Sequence, residues 1–416
     1  MTQTPGTGLA PDGSPGVIDH GGGVWSIEVP IPDNPLGHTL VHLLDTDRGP
    51  VLIDTGWDDP TAWNTLTAGL AALGVRVEDV HGVLVTHHHP DHHGLSGQVR
   101  DASGAWIAMH AADAQVVRRT RSTEPGAWLD YLVAKLTAAG APEDHLAPLH
   151  AARASGRTLT LPGLHAALPD RDIAPGELLP LAGRRLRAVW TPGHTPGHVC
   201  LHLEEEHPGS LPGNGRLFSG DHLLPDISPH IGLYEDPEDP GNSASPTAPA
   251  DPPVRSSRGT AGTAPPSSQL RSSRGDPPPS FQLRSSRGDP PPSSQLRSSR
   301  GDPLGDYLVS LERVARLGVA EVLPAHQHAF TGARARVAAL LAHHETRLAG
   351  LRALLAVPLT PWQLATRMEW NRPWEQIPYA SRNIAVSEAE AHLRRMVRLG
   401  HAEAVPGSDP VTYTAV

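Results

Sequence analysis

Thr86-His87-His88-His89-Pro90-Asp91-His92-His93-Gly94 sets a His-x-His-x-Asp-His array directly after the apolar run Val83-Leu84-Val85. His87, His89 and Asp91 are spaced by two, so an extended exit from a strand turns all three toward one point, and His92 follows from the adjacent position. Imidazole nitrogen and carboxylate oxygen are donors that zinc, iron and manganese accept. Taken alone, the string also fits a histidine-rich surface loop.

Three further motifs follow apolar or β-rich runs: Thr191-Pro192-Gly193-His194-Thr195-Pro196-Gly197-His198, Phe218-Ser219-Gly220-Asp221-His222 and Leu323-Pro324-Ala325-His326. With these in order, the chain resembles the metallo-β-lactamase-fold hydrolase superfamily, from about Asp54 to His326. The resemblance implies a first metal held by His87, His89 and His194, a second held by Asp91, His92 and His326, and Asp221 bridging the two. Val51-Leu52-Ile53-Asp54-Thr55-Gly56 is similar to the family's early strand, which ends in an aspartate that supports the ligands without touching metal. Catalytic weight then falls on Asp91 and Asp221. Two divalent ions, zinc first with iron or manganese as alternatives, are the implied cofactors. Such a pair shares one water and lowers its pKa from about 15.7 toward 7, which makes hydroxide the nucleophile and leaves no side chain to attack.

The remaining histidines and the one cysteine fit quieter roles. His88 and His93 occupy the variable positions of the first motif and are expected to point away or to make outer contacts. His110 follows the run Ala105–Met109 and fits a core or supporting place. His198, His222 and His328 adjoin motif residues, so supporting or substrate contacts are open to them. His344 shares a helical face with Val337, Leu341, Leu348, Leu351 and Leu355 and reads as a packed histidine. Cys200 reads as a small buried hydrophobe.

The elements that must position these residues are legible in outline. Strand-like runs at Gly23–Pro30, Leu40–Leu44, Val51–Asp54, Val83–Thr86 and Trp106–Met109 alternate with helical stretches at Pro60–Leu73 and Ala111–Thr120. An α/β fold is expected, a four-layer αββα sandwich spanning residues 23–242 and 303–356. Residues 126–154 read as an inserted helical pair that caps the substrate approach, or as a plain structural pair. At 416 residues with one cysteine, the chain can bury a large core and needs no disulfide framework. Residues 1–22 are expected to be disordered, without an export signal, and no run of roughly 18 apolar residues proposes a membrane span. A cytoplasmic location is therefore expected.

Residues 243–302 are the oddest stretch. The unit Gln-Leu-Arg-Ser-Ser-Arg-Gly-Asp-Pro begins at Gln269, Gln282 and Gln295, with one leucine per repeat, so it cannot bury a core and reads as a disordered insertion in a surface loop. Eight Arg against four Asp give this stretch +4; the whole chain carries −10, which leaves −14 for the remainder. So acidic a body is a poor match for a polyanion.

Residues 357–416 read as a small winged helix: a helix capped by Thr360-Pro361-Trp362-Gln363, a second starting at Ser387-Glu388-Ala389-Glu390, and strands His401–Val405 and Val411–Ala415 around a turn. Six Arg balance six acidic residues there, which disfavours nucleic acid. The pairing of folds resembles the subgroup holding β-lactamase-like protein 2 ribonucleases and glyoxalase II-like hydrolases. The resemblance implies a binuclear hydrolase of a small thioester or ester. An endoribonuclease is the alternative enzyme, and a DNA-binding regulator the alternative outside catalysis.

Overall fold

The computed structural model describes residues 16–124, 126–156, 166–233 and 301–416. A seven-stranded sheet runs in sequence order: β1 (Val17–Asp19), β2 (Val24–Pro30), β3 (His38–Leu44), β4 (Val51–Ile53), β5 (Gly82–Leu84), β6 (Trp106–Met109) and β7 (Arg171–Asp172). It is antiparallel up to β4 and parallel from β4 to β7. The second sheet orders β11 (Glu321–Pro324), β10 (Arg216–Gly220), β9 (Val199–Leu203) and β8 (Leu186–Trp190).

Alternation along the strands sorts side chains into layers. Ile53, Leu84 and Ala108 of the first sheet meet Ala188, Leu201 and Phe218 of the second in the central core. Leu52, Val83 and Ile107 face the other way, against α1 (Pro60–Ala72), α3 (Ser96–Ser103) and α4 (Ala111–Ser122), with α2 (Pro90–His93) following the first motif. Val189, Cys200, Leu217 and Val322 face α7 (Pro303–Leu317) and α8 (Ala333–Leu354). These are the four layers expected. Cys200 is a buried wall residue whose thiol burial pushes up to about 12, as its reading as a hydrophobe requires.

A fourth core joins α5 (Ala127–Ala138) and α6 (Glu143–Ala154) to the C-terminal residues: Leu129, Leu136 and Leu146 pack with Trp362, Leu364, Val386 and Leu393. The expected helical pair and the C-terminal unit thus share one core. That unit comprises α9 (Pro361–Arg367), α10 (Arg382–Arg398) and an antiparallel hairpin of β12 (Ala402–Ala404) and β13 (Tyr413–Ala415). Thr360 and Gln363 close the expected capping box on α9.

Three expectations need correction. Residues 1–22 are not disordered throughout: Val17–Asp19 pair with β2, and Gly21, Gly22 and Gly23, all at positive φ, turn the chain back into that pairing. Helix α10 starts at Arg382, so Ser387 and Glu388 lie inside it, where Ser387 Oγ accepts the Leu233 N–H at 2.9 Å instead of capping a helix. Asp302, assigned to the insertion, is buried and belongs to the fold: it caps α7 through the Gly305 N–H at 2.8 Å and receives Arg395 at 2.8 Å. The rest of that insertion, 243–300, and residues 1–15 lie outside the described residues. Among the described residues no helix is long and apolar enough to cross a membrane.

Candidate metal centre

Strands β4, β5, β8, β10 and β11 all release their chains at one end of the sandwich, and every motif residue lies just past such an end. The first motif does not stay extended as its spacing suggested. The chain bends at Thr86 and His88, His89 is extended, and Pro90 then starts the single turn of α2. That turn directs Asp91 and His92 to a different place from His87 and His89.

Two groups result. His87, His89, His194 and Asp221 each offer a ligand atom, all within 4.8 Å of one another; Asp91, His92 and His326 do the same. Asp221 stands between them, with Oδ2 3.5 Å from His194 Nε2 and Oδ1 3.4 and 3.2 Å from His92 and His326 Nε2. Asp91 Oδ2 lies 3.4 Å from His326 Nε2 and 3.6 Å from His92 Nε2.

Hydrogen bonds on the far side of four of the five rings fix which nitrogen faces inward. His194 Nδ1 donates to the His230 carbonyl at 2.7 Å, and His326 Nδ1 to the His38 carbonyl at 2.9 Å. His92 Nδ1 donates to Asp54 Oδ2 at 2.8 Å. Thr86 Oγ1 donates to the same Asp54 Oδ2 at 2.9 Å, so it accepts from His87 Nδ1 at 3.0 Å. His87 and His194 therefore aim Nε2 lone pairs at each other across 3.2 Å, with His89 Nδ1 3.0 Å from both. Facing lone pairs repel unless a cation lies among them. In the second group His92 Nε2, His326 Nε2 and Asp221 Oδ1 are buried without a hydrogen-bond partner. Nitrogen and carboxylate donors that converge in this way fit divalent transition metals.

The electrostatics agree. Burial and the neighbouring imidazoles push His87 and His89 well below the usual histidine range, and burial brings His194 to about 4, so these rings are neutral donors. Burial acts on His92 and His326 in the same sense, but Asp221 and Asp91 outweigh it, raising His92 well above its usual value and His326 to about 10. Protons there stand where positive charge is wanted. Burial opposes the charge on Asp221, yet His326 and His92 hold its carboxyl well below the usual range.

Asp54, expected to stand behind the motif residues, touches His92 and Thr86, with Oδ1 taking the Thr86 N–H at 2.8 Å as well. The His198 ring accepts the Asp221 N–H at 3.2 Å, and Gly220, at φ 51°, leaves room for it: a Cβ there would stand 2.7 Å from His198 Nε2. His110 caps α4 and stacks on Trp190. His344 packs between Tyr307 and His392, and His328 is exposed near Asp226. His93 and His222 are buried outside both groups.

Asp113 escaped the sequence reading. Fully buried in the first turn of α4, it accepts from His88 N at 2.9 Å, His88 Nδ1 at 3.0 Å and Thr195 Oγ1 at 2.7 Å, and also from Gly197 N. It ties the first ligand loop to the second. A lone Asp behind His110-Ala111-Ala112 carries no spacing signal; its partners are assembled only by the fold.

Comparisons with known proteins bear on this geometry. The family described as the Metallo-beta-lactamase superfamily matches residues 34–326. A hydroxyacylglutathione hydrolase of Rhodobacter capsulatus is 28% identical over 155 residues, 37% of this chain and 38% of that protein, so the chain spans well under two thirds of that relative. Two crystal structures cover nearly the whole chain. A metallo-beta-lactamase family protein from Thermus thermophilus is 27% identical with a TM-score of 0.64, covering 95% of this chain and 99% of that one. A beta-lactamase domain protein from Burkholderia ambifaria is 22% identical with a TM-score of 0.67, covering 96% and 94%, and shows the fold alone.

Proposed function

This chain belongs to the metallo-beta-lactamase superfamily, and on that premise we propose that it is a binuclear, metal-dependent hydrolase of a small thioester or ester. The observation that carries the reading is Asp221, whose two oxygens turn to different ligand groups. His87, His89 and His194 would hold one ion, Asp91, His92 and His326 the other, and Asp221 both. Zinc, iron and manganese suit these donors. Bound there, two such ions supply an acidified water and a Lewis acid for the acyl oxygen.

The chain's own residues supply order. Asp54 and the carbonyls of His38 and His230 each hold an Nδ1 proton, so Nε2 is the nitrogen that His92, His326 and His194 turn inward; the second proton of His92 and His326 would be displaced on metal binding. His198 fixes the backbone of Asp221. No described side chain needs to serve as nucleophile, and Cys200 is unsuited to it in its buried wall. A thiolate leaves without a proton donor, which favours thioesters over amides. Support for thioesters comes from the relative whose name is hydroxyacylglutathione hydrolase. The excess of acidic residues supports a small substrate over nucleic acid.

We read the C-terminal unit as a winged helix used for packing, supported by the order α9, α10, hairpin and by the bridge between Leu359 and Tyr413. The test of function is thiol release from a panel of acyl-thioesters at low and high salt. Turnover with weak salt dependence is expected. RNA cleavage that is lost in Asp221→Ala, without thioester turnover in the parent, would replace this reading with a ribonuclease.

A further inference from the structure

The carbonyl that fixes His194 belongs to His230, and the His230 ring turns the other way, toward α10. Its Nδ1 lies 3.1 Å from Glu388 Oε2, while Arg347 of α8 reaches Glu388 Oε1 at 3.2 Å. The next residues of the loop add to the seat. Leu233 N donates to Ser387 Oγ at 2.9 Å, and a Cβ on Gly232 would stand 2.4 Å from His230 Nε2 and 2.9 Å from Ser387 Oγ. Helix α8 holds the earlier part, with Arg336 donating to the carbonyls of Leu224 at 2.6 Å and Ile227 at 2.7 Å. The loop running from Asp221 to Leu233 is thus clamped at both ends, and its only charged seat on α10 is the Glu388 carboxylate among the contacts described.

We propose that Glu388 of the C-terminal unit is a positioning residue for the first metal group: acting through the His230 imidazole, it sets the carbonyl that orients His194. A carboxylate gripping a ring whose own backbone oxygen grips a ligand extends the outer support of the site by one residue, across a domain boundary. The consequence is that α10 helps to build the centre. The Arg347 partner keeps Glu388 ionised and aimed; burial opposes that charge, but His230 and Arg347 hold the carboxyl down at about 2. A purely structural ion pair would stabilise the chain and leave the ligand group alone.

This inference rests on the reading of His87, His89, His194 and Asp221 as a metal site, and the experiment separates the two. Full-length protein is stripped with a chelator and titrated with Co(II), whose visible band reports ligand geometry, with a thermal melt for each variant. Glu388→Gln and His230→Ala are each expected to weaken one Co(II) equivalent by about ten-fold and to change its band. Gly232→Ala, which pushes His230 off its seat without touching charge, stands in if Glu388→Gln does not fold, with the same loss expected. Parent-like affinity and band in these variants would overturn the proposal, even if their melting points fall. A loss seen in the Glu388 variant and not in His230→Ala would overturn it too, because the path runs through that ring. A parent that takes up no Co(II) would instead sink the metal-site reading itself.

Discussion

Asp54 Oδ2 lies 2.8 Å from His92 Nδ1, and the residue that grips this imidazole has left-handed backbone, φ 62°, immediately after β4. A non-glycine residue there stores strain, which the Thr86 N–H and hydroxyl offset by binding the same carboxylate. Replacing Asp54 with Asn removes the charge that raises the basicity of His92. The expected outcome is a loss of about 10–100-fold in affinity for one metal equivalent, measured by chelator competition, with a smaller change in melting temperature. Unchanged affinity would mean that Asp54 serves the fold alone.

Asp113 predicts a stability effect. Asp113→Ala leaves the donors of His88, Thr195 and Gly197 buried without an acceptor, at a cost of about 3–5 kcal/mol in denaturant unfolding. Burial opposes its charge, but His88 and the other donors hold its carboxyl at about 2, against 3.8 for the free group. A lowered folded-state pKa gives stability that is complete above pH 3.8 and is lost as pH falls toward 2. Asp113→Asn should therefore flatten the acid limb of the stability curve in that window, by on the order of 2 kcal/mol.

Asp306 predicts the opposite sign. Burial and the nearby Asp302 raise its carboxyl to about 6, and its Oδ2 is buried without a partner. A raised folded-state pKa in an acid means that stability is lost as pH climbs from about 4 to 6. Asp306→Asn should stabilise the protein at pH 7.5 by about 1 kcal/mol after allowance for its partial exposure, and the gain should vanish near pH 4. Melting curves at the two pH values check this; a variant less stable at both would show an unrecognised partner for the carboxylate.

The candidate residues could be found in the chain because they sit in short strings at strand ends, while their division into two groups and the place of Asp54 came from the resemblance to the family and not from spacing. His230 was not legible, because its contribution is a backbone oxygen, which no side-chain pattern announces. The start of α10 was misread because Ser387-Glu388-Ala389-Glu390 has the composition of a cap, while its hydroxyl and carboxylate are used by a loop more than 150 residues away in sequence. The turn at Pro90 split a spacing that looked continuous, since proline begins a helix as readily as it ends a strand.

The boundary at Asp302 yields a paired deletion. Removing residues 243–300 should leave the melting temperature nearly unchanged, since a stretch with one leucine per repeat offers little to bury and loop length enters closure entropy only logarithmically. Extending the deletion through Asp302 removes the α7 cap and the partner of Arg395, and should cost about 2–4 °C more. Equal melting points for the two deletions would show that the cap contributes nothing.

The central claim, that Asp221 joins two metal sites into one hydrolytic centre, is tested most directly by titrating a transition metal into stripped protein while recording thiol release from an acyl-thioester. Activity should rise to a plateau at two equivalents per chain, and Asp221→Ala should stay inactive at every ratio. A plateau at one equivalent, or an active Asp221→Ala protein, would contradict it.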